Sequence, residues 1–536
     1  MTASPSGLRR SLWPPGRRSG CRSRSATARC PRHSTHTSRL EGTPRSGSLP
    51  GRRASSRCHR PRPRSWSPAS SLPWCCTAGS GWRRGSCSAS RRSCRPCSSP
   101  RRRSPSAEPR VEDRARPDGK RARTYHRREE HHVETEVVIV GAGPAGSTAA
   151  RELASRGVDV LLLERAKFPR DKPCGGGVTI RCDNLLPFSL DPVIEDVVSG
   201  AVIQLRDGKA VTRDADAPLT YMTQRRHLDR FLVEQAQAEG AQFQDGRRVE
   251  HIEQTPEGFE VRVANGTPNG SRNGGDVLHA RAVIGADGAN GVVRTFLGYE
   301  HFEESGVALE ANVPFPDGIP AWLRGRVVLR LGAMRGGYGW IFPKGDHVNV
   351  GVSGWKAAAG ADLRPELESL CRGFDMDPGD LEAIRGHHLP MLRHGADIAA
   401  RGSALIGDAA GLLDPLSGEG IYGAIASGIA VAPVTEDYVR GRVDTMTGYQ
   451  RVLERELLPE LEVSHGLMEV FYLWPTPFVR WLQHSKRVWT HCTRLERGEE
   501  TYLDVVAAGG PARHIVHPLG RLAQAITSRR LGRPKA

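Results

Sequence analysis

The chain has 536 residues and a formal net charge of +18, and almost all of that charge sits at one end. Residues 1–132 hold 31 Arg and one Lys against seven acids, a surplus of 25 positive charges, so residues 133–536 carry a net −7. For the folded part this excludes a nucleic-acid partner inferred from basic balance, and the 12 cysteines give no disulfide or metal framework there, because eight of them lie in the basic segment.

Residues 1–132 are dominated by Arg, Ser, Pro, Gly and Cys and contain no Ile, Phe, Asn or Gln. No helical or strand period runs through them, so they read as a disordered, basic, low-complexity leader that cannot bury a core. The missing residue types mostly have AT-rich codons, as expected of GC-rich DNA upstream of the native start. Arg127-Arg128-Glu129-Glu130 is encodable by a purine-rich ribosome-binding stretch, and Val133 by a GTG start. The expectation is that the leader is not part of the native protein, which N-terminal sequencing checks. A transit peptide and a basic tail on anionic lipid stay open as alternatives. The remaining cysteines, Cys174, Cys182, Cys371 and Cys492, are scattered as in a reducing cytoplasm. No run of about 18 apolar residues is present to span a membrane.

The body opens on strand Glu136–Val140, the turn Gly141-Ala142-Gly143-Pro144-Ala145-Gly146, a helical pattern to Arg156, and a second strand, Val158–Leu163, ending on Glu164. In that context Gly141 makes the tight turn, Gly143 lets the backbone approach a pyrophosphate, and Gly146 lets the helix lie close to the sheet. The helix N-terminus offers N–H groups to phosphates, and Glu164 accepts from an adenosine ribose. The chain therefore holds a dinucleotide.

Gly200–Thr223 reads as short strands. Gln224–Glu239 reads as a helix with Leu228, Phe231, Leu232 and Ala236 on one face. Residues 248–264 alternate as a strand pair, and Asn265–Asp276 reads as a hairpin loop. Two further strand ends follow: Ala282-Val283-Ile284-Gly285-Ala286-Asp287-Gly288, with Arg294 beyond it, and Ala404-Leu405-Ile406-Gly407-Asp408. The latter runs through Pro415-Leu416-Ser417-Gly418-Glu419-Gly420 into a small-residue helix, Ile421–Val431. Any one of these acids fits a plain helix N-cap. Three of them at carboxyl ends of apolar strands converge where open α/β sheets bind ligands.

Along residues 134–510 the body resembles the geranylgeranyl reductase family of flavoproteins, within the class sharing the hydroxybenzoate-hydroxylase fold. The resemblance rests on Gly141-x-Gly143-x-x-Gly146 with Glu164 and on the loop Phe168-Pro169-Arg170-Asp171-Lys172-Pro173-Cys174-Gly175-Gly176-Gly177. It rests also on Arg225-x-x-Leu228-Asp229, on Gly407-Asp408, and on Tyr338-Gly339-Trp340-Ile341-Phe342-Pro343 followed by Gly345-Asp346-His347-Val348-Asn349-Val350-Gly351. It implies an α/β fold: a discontinuous, Rossmann-like FAD-binding domain with an antiparallel-sheet substrate domain and a C-terminal helical cap. The expected bounds are 133–435 for the FAD domain, interrupted by substrate-domain segments at about 200–223 and 305–395, and 436–536 for the cap.

The resemblance implies FAD as cofactor. Gly141, Gly143, Ala145, Gly146, Glu164, Arg165, Gly175, Arg225, Asp287, Gly407, Asp408, Gly418, Gly420 and Ile421 are the expected binding residues. Cys174, Tyr338 and Trp340 are the expected catalytic residues. The implied reaction saturates C=C bonds of a prenyl or polyprenyl chain: hydride comes from reduced flavin, and an acid the sequence does not identify supplies a proton. A monooxygenase or halogenase on the same fold is the alternative. Tyr338, Trp340 and Phe342 share one strand face, which reads as a prenyl wall or as sheet core. His347 reads as structural. No second nucleotide turn follows a strand, so no separate nicotinamide domain is expected, and the electron donor stays open between NAD(P)H binding transiently and ferredoxin. Near the C-terminus Phe471, Tyr472, Leu473, Trp474, Phe478, Trp481 and Leu482 cluster among Arg480, Lys486 and Arg487. They read as a helix core with a basic face, or as a surface peripheral to a membrane. The expected location is cytoplasmic.

Overall fold

The computed structural model describes residues 133–264, 276–299, 305–359, 362–391 and 395–508. The leader, the hairpin loop expected at Asn265–Asp276 except Asp276 itself, and the end of the cap lie outside the described residues. Four consecutive β-branched residues, Val137 to Val140, favour strand, and all four are buried. Burial on both faces is what a parallel sheet requires. This opening strand, Val133–Val140, lies between Asp276–Gly285 and Val160–Glu164 and runs parallel to both. Ser403–Leu405 extends the sheet on one side and Gln242–Asp245 on the other, again in parallel. The antiparallel pair Val249–Gln254 and Phe259–Val263 joins at Asp276–Gly285.

Helix Pro144–Ala154 packs along helix Ile421–Val439. Glycine permits the close approach: a Cβ on Gly428 would lie 2.7 Å from the Ala145 carbonyl oxygen. The amphipathic segment forms helix Arg225–Ala238, with Leu228, Leu232 and Ala236 buried.

A second sheet of seven strands runs in the order Glu382–Pro390, Ser305–Pro314, His347–Trp355, Tyr338–Pro343, Arg326–Leu331, Gly200–Leu205, Val211–Asp214. It departs from the expected all-antiparallel sheet in two places. Gly200–Leu205 and Arg326–Leu331 pair in parallel, because they come from distant parts of the chain and no hairpin fixes their direction. Thr220–Met222 leaves for a separate three-stranded sheet with Gly177–Thr179 and Asp196–Val198.

The two faces of the seven-stranded sheet differ, as the alternation of side chains dictates. One face carries Ala311, Val313, Ile341, Val348, Val350 and Val352, packed on Leu367 and Leu370 of helix Leu363–Arg372. Glu310, Asn312, Tyr338, Trp340, Phe342 and Asn349 occupy the alternate positions and so share the opposite face. Helices Thr447–Glu456, Leu458–Leu473, Pro475–His484, Lys486–Glu496 and Tyr502–Ala508 complete the described cap. Among the described residues no helix is long and apolar enough to cross a membrane.

Candidate active site

Gly141 has φ +105°, and a Cβ there would lie 2.4 Å from the Ala286 carbonyl oxygen, so only glycine fits the turn. A Cβ on Gly146 would lie 1.9 Å from the Gly141 oxygen. Gly143 differs: the space beyond its Cα is open until Arg225 Nη2 at 3.6 Å and Arg170 Nη2 at 4.0 Å. This is a cradle at the N-terminus of helix Pro144–Ala154, whose first turn has neither a side-chain cap nor an acid. Unpaired N–H groups, the positive dipole end and two guanidiniums suit a pyrophosphate. Glu164 is buried at the strand end, accepting from Ala142 N–H at 3.2 Å and Ala166 N–H at 3.0 Å, with Arg170 3.4 Å away. Arg165, directly after it, is exposed.

Arg170 and Arg225 converge on Asp229. Arg225 Nε and Nη2 donate to it at 2.7 and 2.8 Å, and Arg170 Nη1 at 2.5 Å. Burial opposes ionisation of Asp229, but the two guanidiniums hold its carboxyl below the usual range.

Across the cradle, Gly407 has φ +58° and its Cα faces Ala145, whose Cβ lies 2.9 Å from where a Cβ on Gly407 would be. The Ser427 hydroxyl accepts the Gly407 N–H at 3.0 Å. Asp408 is desolvated, yet Lys172 (3.3 Å) and His387 (4.0 Å), with Arg225 beyond, keep it ionised far below the usual carboxylate range. A Cβ on Gly420 would lie 3.0 Å from Asp408 Oδ1, so the glycine lets the 414–420 loop close over the acid. Ile421 packs with Val178, Cys182, Leu228 and Leu232 beneath that loop. Asp287 bonds mainly to its own loop: Oδ2 accepts from Val292 and Val293 N–H at 2.6 and 2.9 Å.

The cysteine loop lies against the polar and aromatic face of the second sheet. A Cβ on Gly175 would lie 2.8 Å from the Phe342 ring and 3.3 Å from Trp340 Nε1. Lys344, buried, pins the loop by donating to Gly175 O at 2.6 Å and Thr223 O at 3.1 Å, and burial pulls its pKa down to about 8. Cys174 Sγ accepts the Gly176 N–H at 3.4 Å, and Cys174 N–H donates to Glu310 at 2.9 Å. The Tyr338 hydroxyl donates to Ser417 O at 2.6 Å, and Gly418, φ +72°, sits beside it. Trp340 Nε1 donates to Asn349 at 2.8 Å, and Asn349 in turn to Asn312 at 3.1 Å. The His347 ring pairs with Asp346 next to it at 2.7 Å.

The structure thus gathers most of the expected residues around one cradle and one sheet face, and adds Arg170, Lys172, Asp229, Glu310, Lys344, Asn349 and His387. Arg170, Lys172 and Asp229 lie inside motifs visible in the sequence, where their charge was the available signal. Glu310 sits between Leu309 and Ala311 in an apolar strand, a small but readable anomaly. Asn349 lies inside the motif after the aromatic strand, while Lys344 and His387 carry no local signal.

A family model described as an FAD binding domain matches residues 134–434. Menaquinone reductase from Mycobacterium tuberculosis is 34% identical over 308 residues, which are 54% of this chain and 73% of that protein. Chloroplastic geranylgeranyl diphosphate reductase from rice is 30% identical over 354 residues, 63% of this chain and 75% of that protein. The chain belongs to the geranylgeranyl reductase family of FAD-binding proteins. Its fold matches a geranylgeranyl bacteriochlorophyll reductase-like protein from Thermoplasma acidophilum with TM-score 0.58 at 21% identity, covering 69% of this chain and 98% of that one. A flavin-dependent brominase, Bmp2, shares the fold at TM-score 0.55 and 20% identity, over 74% of this chain and all of that one.

FAD is therefore the cofactor, and this reductase-family protein is an FAD-dependent oxidoreductase. The observed cradle fits it: open space over Gly143, free N–H groups and buried guanidiniums for the pyrophosphate, and carboxylates at two strand ends for hydroxyls.

Proposed function

We propose that this protein saturates C=C bonds in a prenyl or polyprenyl chain, with a lipid such as an unsaturated menaquinone or a geranylgeranyl compound as substrate. One observation carries the reading. An aromatic path leads from the surface to the cysteine loop: Trp481 to Phe478 at 5.7 Å, Phe478 to Phe471 at 6.2 Å, Phe471 and Tyr338 in one cluster, Tyr338 to Trp340 at 6.0 Å, Trp340 to Phe342 at 6.2 Å. Such a path suits a long apolar chain whose double bond must reach a site shielded from water.

When bound, FAD supplies the hydride chemistry. In this reading Gly141, Gly143, Ala145 and Gly146 receive its pyrophosphate with Arg225, and Glu164 with Arg165 receives the adenosine end. Asp408, Gly407, Gly418, Gly420 and Ile421 hold the ribityl chain and ring, with Gly175 beside the ring and Asp287 shaping the turn behind Gly141. Trp340, fixed by Asn349, and Tyr338, fixed by Ser417, form the wall that orients the alkene, and Cys174 borders the reacting carbons. Holding the double bond in place contributes several kcal/mol, roughly 7–11 at best.

Delivery of the substrate belongs to the same proposal. Trp474 and Trp481 are 58% and 56% exposed at the ends of helix Pro475–His484. Residues 470–495 contain Arg480, Lys486, Arg487 and Arg494 and neither Asp nor Glu. Exposed tryptophans beside Arg480, Lys486 and Arg487 suit an anionic lipid surface, while Arg494 pairs with Glu500 at 2.8 Å. The electron donor is NAD(P)H or a ferredoxin, reaching the flavin transiently. The test is mass spectrometry of menaquinone and geranylgeranyl lipids incubated with reduced protein. A gain of two hydrogens per bond is expected; unchanged lipids together with substrate-dependent oxygen uptake favour the monooxygenase alternative and overturn the reductase reading.

A further inference from the structure

Saturation of an isolated alkene adds a hydride, with its electron pair, from reduced FAD to one carbon and a proton to the other. The alkene gains the two electrons that FAD loses, and a protein or solvent group must give up the proton. Two residues lining the wall have their hydrogens engaged elsewhere: the Tyr338 hydroxyl hydrogen is directed at Ser417 O and the Trp340 N–H at Asn349.

Register singles out a different group. Glu310, Gly351 and Trp340 stand directly opposite one another on three adjacent strands, on the face turned toward the cysteine loop. Gly351 has no side chain, and the Trp340 indole lies across the gap: a Cβ on Gly351 would be 2.0 Å from Trp340 Cζ2. Beyond the glycine, Glu310 reaches the loop itself and accepts the Cys174 N–H at 2.9 Å. The strand positions of Glu310 and Trp340 are about 10 Å apart, two inter-strand spacings, and the indole and the carboxyl extend over the same floor.

We propose that Glu310 is the acid that protonates the alkene, a role that rests on the reductase reading above. Its O–H bond breaks as the new C–H bond forms, the carboxylate stays behind beside Cys174 N–H, and water restores the proton. Burial pushes the Glu310 carboxyl up to about 7, with Asp171 adding to the effect and Cys174 N–H, Asn349 and Lys344 opposing it. The other charged groups around it are Lys172 on the cysteine loop, Arg385 directly opposite on strand Glu382–Pro390 and paired to Asp171 at 2.7 Å, and His387 two residues along. An acid near neutrality retains its proton for the reaction and regains it quickly.

The test uses the FAD-loaded protein, reduced with dithionite, and menaquinone with a fully unsaturated polyprenyl tail in detergent micelles. The wild-type rate is expected to fall as pH rises through about 7, because only the acid form donates. Glu310→Gln keeps an oxygen for the Cys174 N–H and lacks the acidic proton; its rate is expected to fall about 100-fold or more, with FAD content and visible flavin spectrum unchanged. Glu310→Asp is expected to restore part of the rate and the pH dependence. Independently of turnover, infrared difference spectra of wild-type protein across pH are expected to show a carboxylic-acid carbonyl band titrating near neutrality that Glu310→Gln lacks. A Glu310→Gln rate within about threefold of wild type, or an infrared difference without that band, overturns the assignment. Wild-type protein that adds no hydrogen to the tail at any pH sinks the reductase reading instead, and the infrared titration then decides by itself whether Glu310 holds a proton.

Discussion

At the scale of single residues, the cofactor cradle depends on one buried carboxylate that balances two guanidiniums. Asp229→Ala leaves Arg170 and Arg225 desolvated without their shared partner, a defect of about 3–5 kcal/mol. Urea denaturation is expected to show a loss of that order, with weaker retention of FAD. The folded-state carboxyl is depressed, so its contribution is present above the ordinary aspartate value, about 3.9, and disappears as pH falls through the lower folded value. Acid titration of wild-type stability is therefore expected to be steeper than that of Asp229→Ala. The aspartate was legible as part of Arg225-x-x-Leu228-Asp229, because a four-residue spacing on a helix brings the two side chains together. Arg170 was legible only as a charge in a loop. That it meets Asp229 follows from how the loop lies over the helix, which no local spacing encodes.

At the scale of elements, the aromatic strand works because the neighbouring strand has a glycine opposite it. Gly351→Ala places a methyl where the Trp340 ring now lies, so the ring must move. Misplacement of about 1 Å is enough to cost on the order of 100-fold in rate. Steady-state assays are expected to show a drop of at least tenfold toward that limit, with flavin absorbance retained. The alternation of Tyr338, Trp340 and Phe342 was readable, because a strand repeats every two residues. The parallel pairing of Gly200–Leu205 with Arg326–Leu331 was not, since pairing between distant strands is decided by which apolar faces find each other. The cap shows a similar limit. Its aromatics were visible as a cluster, but only the folded helices leave Trp474 and Trp481 outside while Phe471 and Val479 pack within. Replacing both exposed tryptophans by Ser is expected to reduce flotation with vesicles containing anionic lipid. Unchanged flotation of that variant removes this face from substrate delivery.

At the scale of the whole molecule, FAD binds folded protein through groups contributed by several distant segments, so occupancy is linked to stability. A ligand at 100 times its dissociation constant adds about 2.7 kcal/mol. Protein stripped of FAD is expected to melt several degrees lower and to recover as FAD is added back, followed by differential scanning calorimetry. The nucleotide turn, the two strand-end acids Glu164 and Asp408, and the aromatic strand were legible in the amino-acid order, because backbone conformation and side-chain period act over a few residues. The same local physics indicated a dinucleotide, while FAD and the family came from the resemblance of the motifs. Only tertiary structure decided that Lys172 and His387 face Asp408, that Lys344 pins the cysteine loop, and that Glu310 stands level with Trp340 across a glycine. Those contacts join strands and loops separated by long stretches of chain. Burial and charge there arise from the packed surroundings, so the residues that hold and move a proton emerge only when the sheets come together.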